Sequence, residues 1–466
     1  MTDTNMDDII SFAKRKGFVY PGSEIYGGAA GLYDFGPYGV ELLNNLKASW
    51  WKENVQKKEN YFGLDSAMFK DPRVWEASGH VGGFSDPLTE CKKCNTRLRV
   101  DKELAKIGVS ADEKMSEAEL NALFDEHKKK IKCPKCGGQD FSPVRAFNLL
   151  VKSNLGDFTN TGEHPVYLPG EACQGIYLNY KNILDTVRAK VPFGIAQIGK
   201  AFRNEISPRN FLFRTREFEQ ADTQYFIRPN ENKADYERIK QERWSWYLSL
   251  GIPAEQLRWK QHERLVFYAK DAWDIEYNFP SYGFDEVEGI HDRTDYDLTQ
   301  HMKFSGVDLS YLDPETNEKY IPWILETSMG MGRLFLAVLS EAYTEDELGG
   351  EKRTLLKLKP SLAPIKVAVF PLLRNKPELV AKAREVFMML KQEFRTEWDD
   401  NGNIGKRYRR QDEIGTPWCV TVDFDTLGET PENKDTVTVR DRDTGKQERM
   451  KISELASHIQ KSILST

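Results

Sequence analysis

Four cysteines, Cys91, Cys94, Cys133 and Cys136, fall into two CxxC pairs, the second inside a CPKCGG turn whose glycines let backbone amides approach sulfur. Four thiolates with no spare position describe a closed tetrahedral zinc site, which organises a fold and performs no reaction. Six cysteines in 466 residues are too few for a disulfide scaffold, so the pattern also implies a reducing compartment. Cys173 and Cys419 stand alone and are expected to be ordinary buried thiols.

A second group of residues suits anions. In GKAFRNEI a two-residue strand period puts Arg203 and Glu205 on one face, with Phe202, Asn204 and Ile206 on the other. The loop ISPRNFL turns the chain back, and the same period then aligns Arg214, Arg216, Phe218, Gln220 and Asp222. An antiparallel hairpin would array cations, an aromatic plate and carboxylates on one floor. Arginine suits bidentate phosphate contacts, and a planar ring suits a stacked base. Alone, such a hairpin reads more simply as a solvated sheet face with cross-strand ion pairs. The run PWILETSMGMGRLFLAVLSEAY shifts the balance, because it is a strand entering a glycine turn and then an apolar helix. Glu326 and Ser328 share a strand face, while Gly330 and Gly332 allow close backbone approach to a ligand. Arg333 sits at the helix start, where the macrodipole disfavours a cation unless an anion is present.

Elements that could position these groups are legible along the chain. Pro37 opens a helix in which Val40, Leu43, Leu46 and Trp50 recur at helical spacing, so that face is covered either by the core or by a second subunit. Leu120, Leu123 and Phe124 form a narrow apolar stripe between the cysteine pairs, as in an exposed helix of a small insertion. FGIAQIGKAFRNEI, FRTREFEQADTQYF, DIEYNF and PWILETS read as strands of a largely antiparallel sheet, interrupted by one helical stretch between Pro229 and Gly251. Gly, Lys and Pro collect in GGEKRTLLKLKPSLAP, where a domain boundary is expected. Beyond it IKVAVFPL, PELVAKAREVFMMLKQEF, WCVTVDF and DTVTVRDR alternate strand and helix, as in a compact mixed α/β domain.

Composition bounds the function. With 66 basic and 72 acidic residues the net charge is −6, which excludes a polyanion binder held on by bulk charge and leaves room for a local basic patch. KRYRR, Lys406 to Arg410, is the densest basic run beyond the boundary. No apolar run approaches the roughly 20 residues of a membrane helix, and the acidic amino end has no apolar targeting segment. A cytoplasmic protein without membrane contact is expected.

FRNEISPR with its returning FRTREFEQ, then ETSMGMGR, and DFGPYGVELLNN near the start resemble motifs 2, 3 and 1 of the class II aminoacyl-tRNA synthetases. Within that class, GEACQGIYLNY, GFDEVEGIHDRTDYDL and the split CxxC insertion are similar to the homodimeric glycyl-tRNA synthetases. The resemblance covers nearly the whole chain. It implies an α+β fold: an antiparallel-sheet catalytic core in residues 1–88 and 148–349, with a helical insertion near 230–262. A zinc-binding insertion would occupy 89–147, and a mixed α/β anticodon-binding domain 361–466. The implied activity is ATP-dependent attachment of glycine to its tRNA through an enzyme-bound glycyl-adenylate, with structural zinc, magnesium accompanying ATP, and a homodimer.

Carried over residue by residue, the resemblance gives Arg203, Arg333 and Glu326 the catalytic roles. Arg203 would hold the α-phosphate, Glu205 would accept from the adenine amino group, Phe218 would stack on the base and Arg333 would hold the far phosphates. Asn204, the covering segment Phe213, Arg214, Thr215, Arg216 and Glu217, the pair Glu286 and Val287, and Gly330, Met331 and Gly332 complete the ATP site. Glu286 is placed to serve magnesium, and Arg293 is a further phosphate candidate, its alternative being a structural pair with Asp292 or Asp295. Glycine would meet Arg99, Glu171, Phe218, Asp222, Glu326, Ser328 and Gly330. In the anticodon-binding domain, basic and aromatic side chains would meet unstacked bases.

The chain departs from the family pattern at Asp222 and Gln224, where glutamates are expected, and in the methionines of SMGMGR. Two other readings compete: a class II synthetase for another amino acid, and a non-catalytic RNA-binding relative. Intact Arg203, Glu205, Glu326 and Arg333 speak against the second, because a binding module has no need of paired phosphate arginines.

Overall fold

The computed structural model describes residues 5–111, 115–155, 164–206, 208, 211–263, 265 and 269–465. Ser207, Arg209 and Asn210 of the expected hairpin loop lie outside them. Seven strands form the central sheet: β1 (Tyr61–Gly63), β2 (Phe193–Phe202), β3 (Glu217–Ile227), β4 (Leu257–Gln261), β5 (Asp271–Phe279), β6 (Gly283–Thr294) and β7 (Trp323–Gly330). Their order is β4-β5-β6-β7-β3-β2-β1, antiparallel throughout except for the parallel pair β1 and β2.

Side-chain alternation gives the sheet two unlike faces. Ala221, Tyr225, Ile290, Leu325 and Met329 point into the main apolar core. That core is closed by helices α1 (Met6–Arg15), α2 (Pro37–Trp51), α4 (Asn232–Ser249) and α6 (Met331–Ala342). On the opposite face, α3 (Gln174–Val187) and α5 (Tyr296–Ser305) cover only one end, packing Ile176, Tyr180 and Leu298 on Phe193, Ile195, Phe226 and Ile324. The rest of that face is the polar floor described below. On the core side, Arg243 of α4 reaches Glu288 of β6 at 2.7 and 3.1 Å, both ends buried, so this buried charge on a central strand is neutralised.

Several sequence expectations shift. In α2 the buried face is Leu42, Leu43, Leu46 and Trp50, whereas Val40 is 40% exposed, because the turn starts on Gly39 packed under Phe18. This face is covered by the chain's own core. The span 230–262 is helical only to Ser249; its end, Leu257–Gln261, is the edge strand β4 of the central sheet. The boundary stretch holds a β-hairpin, Tyr343–Leu348 paired with Glu351–Leu356.

The cysteine-bearing segment folds around its own small core, including Leu104, Leu120, Phe124, Ile131 and Phe141. Its helix Glu117–His127 starts with a capping box between Ser116 and Glu119. The C-terminal part builds a second sheet from β8 (Val367–Pro371), β9 (Thr396–Trp398), β10 (Trp418–Val422), β11 (Thr436–Asp441) and β12 (Gln447–Lys451), in the order β9-β8-β10-β11-β12. Helices α7 (Pro377–Lys391), α8 (Ile404–Ile414) and α9 (Leu455–Leu464) accompany it. KRYRR lies within α8, and its arginines are engaged internally. Buried Arg407 donates to the carbonyls of Pro371, Asp400 and Gly402, Arg409 pairs with Glu351, and Arg410 with Asp399. No described helix is long and apolar enough to cross a membrane.

Candidate active site

Register places the floor residues side by side. Across β3 and β7, Gln220 faces Gly330, Asp222 faces Ser328 and Gln224 faces Glu326; across β7 and β6, Ser328 faces Gly289 and Glu326 faces His291. Phe218, Gln220 and Asp222 do share one face, as the alternation predicts. Arg214 and Arg216 do not extend that row, because strand pairing begins only at Glu217 opposite Phe202. They turn instead onto Glu205, Arg214 Nε meeting its carboxylate at 2.8 Å and Arg216 Nε its carbonyl at 2.9 Å.

The floor carries three carboxylates in unlike states. Glu326 accepts from Gln224 Nε2 at 2.9 Å and from Arg293 at 3.0 and 3.1 Å, and is bonded to His291 Nδ1 at 2.8 Å. Burial alone would raise its pKa, but the Arg293 and His291 interactions bring it to about 2. Glu171 accepts from Gln174 at 2.7 Å and lies 3.6 Å from His80 Nε2. Burial works against its ionised form too, and His80 and Arg293 outweigh it, holding the group well below the usual carboxylate range. Asp222 is 1% exposed, and among the described residues its two carboxylate oxygens meet no hydrogen-bond donor in good geometry, the Ser328 hydroxyl of the facing strand only partly offsetting their burial. Burial, reinforced by the nearby charge of Glu326, pushes its pKa well above the ordinary value. Ser328 Oγ accepts from Gln220 Nε2 at 3.3 Å. A buried, unpartnered carboxylate is costly unless a cationic ligand comes to it.

Beside this acidic niche stand the arginines. Arg203 donates from Nε to the Gly170 carbonyl at 3.0 Å, and its guanidinium lies 5.2 Å from the Phe84 ring and 5.4 Å from Phe218. Arg333 donates to the Phe213 carbonyl at 3.1 Å and the Glu286 carbonyl at 2.9 Å, pairs with the Glu286 carboxylate at 3.0 Å, and stacks 4.4 Å from the Phe213 ring. The anion expected near the start of α6 is thus supplied by Glu286 of the same chain. Burial would raise the Glu286 pKa, but Arg333 lowers it overall. Behind these groups Val287 and Met331 are buried in the core. A methyl on Gly330 would lie 3.8 Å from Arg333, an ordinary contact, whereas on Gly332 it would press to 3.2 Å from the Leu212 carbonyl.

The remaining expected residues are placed less directly. Asn204 donates its amide to the Leu149 carbonyl, Thr215 Oγ1 bonds the Glu217 carbonyl, and Glu217 pairs with Lys200. Arg99 pairs with Asp86 at 2.9 Å and Asp101 at 2.7 Å at the root of the cysteine-bearing insertion, within electrostatic reach of Glu205. Arg293 is 3% exposed and is met by Asp297 at 2.8 and 3.0 Å and by Glu326, so its acidic partner is Asp297 and not the expected Asp292 or Asp295, and it braces the niche. His291 and His80 were not among the expected site residues, and Gln224 was expected only as a departure from the family pattern. For His291 the available signal is period two through Gly289, His291 and Arg293 in a segment whose acidic residues hid its strand character.

In the insertion, Cys91 and Cys136 Sγ lie 3.6 Å apart and Cys94 and Cys133 Sγ 3.5 Å. Thiolates around one tetrahedral ion at 2.3 Å stand roughly 3.8 Å apart, so the donor set fits zinc. Both knuckles turn alike, Asn95 N–H bonding the Cys91 carbonyl and Gly137 N–H the Cys133 carbonyl at 2.8 Å, with positive φ at Asn95 and Gly137.

Comparisons with known proteins agree in kind. Residues 157–342 match the family described as the tRNA synthetase class II core domain (G, H, P, S and T), and residues 366–462 the anticodon binding domain. The chain is 50% identical over 471 residues to glycine–tRNA ligase of Clostridium acetobutylicum, covering 99% of each chain. It is 48% identical to that of Clostridium tetani, again covering 99% of each, and 47% identical to that of Caldanaerobacter subterraneus, covering 98% of each.

Proposed function

The chain belongs to the glycine–tRNA ligases of class II, and on that premise we propose that Asp222 receives the ammonium of glycine while Arg203 and Arg333 grip the ATP triphosphate. The enzyme attaches glycine to tRNA at the expense of ATP. The observation that carries the assignment is the pair of orphaned, buried oxygens on Asp222 beside an ionised Glu326. An ammonium arriving there satisfies the first and is attracted by the second.

In the first step the glycine carboxylate attacks the α-phosphorus and pyrophosphate leaves. The nucleophile belongs to the substrate, so no protein base is required, and the protein's part is alignment and charge stabilisation. Arg203, stacked between Phe84 and Phe218, is held ready for the α-phosphate. Phe218 offers its face to the adenine and Glu205 an acceptor for its amino group. Arg333 meets the far phosphates, and Glu286, released in part from Arg333, serves magnesium. In the second step the terminal ribose hydroxyl of tRNA attacks the glycyl carbonyl and AMP departs.

The four cysteines hold zinc, which keeps the insertion folded. The molecule works in the cytoplasm as a homodimer; Ile25 and Tyr26, 90% and 88% exposed, give the amino-terminal region an apolar surface for the second copy. Glycine-dependent exchange of pyrophosphate into ATP, tested against all amino acids, checks the reading. Exchange driven better by another amino acid would overturn it.

A further inference from the structure

One cluster of metal-ligating side chains is used by none of these roles. His262, Asp274 and His291 bring one ligand atom each to within 4.8 Å of one another. His262 Nε2 lies 2.8 Å from Asp274 Oδ2, and the two imidazole rings stand 5.9 Å apart at 69°. The Asp274 and His291 atoms gather over Gly289, where a methyl would fall 2.9 Å from His291 Nε2 and 3.6 Å from Asp274 Oδ1. Glycine at that position therefore leaves the space in which the two donors meet.

The other nitrogen of His291 is already committed. Nδ1 lies 2.8 Å from Glu326 Oε2, so the carboxylate holds that nitrogen and leaves Nε2 as the one facing the cluster. In the neutral imidazole, Nε2 is then a lone-pair donor turned toward Asp274 and His262. A carboxylate fixing one imidazole nitrogen so that the other can bind a metal is the usual outer arrangement of histidine metal sites. The cluster is also reachable, with side-chain exposure of 34% for His262, 12% for Asp274 and 21% for His291.

The geometry points to a second metal site, in which His262, Asp274 and His291 hold a divalent ion of the zinc class with its remaining positions open to water. Two imidazoles and one carboxylate favour zinc, cobalt or manganese over magnesium, whose preference is for oxygen. The site differs in kind from the four-thiolate cluster, which leaves no open position. An ion there would fix the His291 ring and, through it, one side of the Glu326 niche.

The test titrates Co2+ into the isolated full-length enzyme with its cysteine-bound ion in place, without substrates, so its outcome is separate from the glycine reading. The expected result is one further ion per chain, with a weak visible d–d band, no added sulfur-to-cobalt charge-transfer band, and displacement by Zn2+. His262→Gln and His291→Gln should each weaken binding by roughly 10- to 100-fold or more. His262 is 34% exposed and is none of the residues assigned to nucleotide or glycine, so if His291→Gln fails to fold, as read by circular dichroism, His262→Gln decides alone. No ion beyond the cysteine-bound one, a new sulfur charge-transfer band, or undiminished binding in His262→Gln would overturn the proposal.

Discussion

Asp222 and Glu326 stand diagonally across adjacent antiparallel strands on the same face of the sheet, yet only Glu326 is neutralised by the protein. Glu326 has Arg293, His291 and Gln224; Asp222 makes no ion pair among the described residues and feels the charge of Glu326. Asp222 is therefore the floor carboxylate without a cation bonded to it among the described residues, and an amino-acid ammonium has the size and sign to supply one.

The imbalance predicts proton release on glycine binding. In the empty enzyme Asp222 is raised well above the ordinary carboxylate range, and an ammonium beside it favours the ionised form. Calorimetry in buffers of different ionisation enthalpy should record protons released per glycine bound near neutral pH, and glycine KM should fall as pH rises. The stability sign is opposite. A carboxyl raised in the folded state contributes stability that is present below its unfolded pKa and lost as pH rises through the folded one. Asp222→Asn should therefore gain stability over the wild type at neutral pH, by roughly 1–2 kcal/mol, and lose glycine affinity by about 2–5 kcal/mol. A variant that loses both would contradict the assignment.

Arg293 should show the reverse pattern. It is 3% exposed and bridges Asp297 and Glu326, so removing it strands two buried carboxylates. Arg293→Gln is expected to cost about 3–5 kcal/mol in denaturant unfolding and to raise glycine KM. Arg293→Lys should recover only part of both, because an ammonium cannot fork to two carboxylates. Full rescue by lysine would show that charge alone, without the planar fork, is enough.

These roles were only partly readable in the chain. Alternation alone aligned Phe218 with Asp222 and Glu326 with Ser328, because β3 and β7 keep strict period two across the floor. The same rule failed for Arg214 and Arg216, which lie just before the paired strand and fold back onto Glu205. β6 was harder to see as a strand. Glu286, Glu288 and Asp292 make it look like a surface loop, and only a distant residue, Arg243, makes Glu288 tolerable in the core. KRYRR likewise looks exposed until carbonyls from three separate positions converge on Arg407. Distant partners such as Arg243 for Glu288 and the Pro371 carbonyl for Arg407 leave no trace in local spacing.

The cysteine cluster predicts a local dependence on metal. Its core of Leu104, Leu120 and Phe124 is separate from the cluster under the central sheet. Elemental analysis should find zinc at the four-cysteine site. Cys133→Ser should lower zinc content and open residues 91–136 to protease, while the rest of the chain keeps its far-ultraviolet signal. Unfolding of the whole chain on zinc loss would refute this independence.

With the proposed role at the α-phosphate, Arg203 is expected to separate chemistry from RNA binding. Its guanidinium is kept in place by Phe84, Phe218 and the Gly170 carbonyl, with no carboxylate paired to it among the described residues. Such an arginine is free to meet a phosphate without first breaking an ion pair, unlike Arg333, which must leave Glu286. Arg203→Ala should therefore reduce glycine-dependent pyrophosphate exchange by about 100-fold or more, the range for losing one preorganised donor to developing charge. Its tRNA affinity, measured by filter binding at fixed salt, should change little, because the C-terminal domain is untouched. Arg333→Ala should raise the KM for ATP and free Glu286 as well, so its loss is expected to be partly offset at high magnesium. Equal loss of exchange and tRNA binding in Arg203→Ala would mean that the residue holds the fold, and its role at the α-phosphate would have to be abandoned.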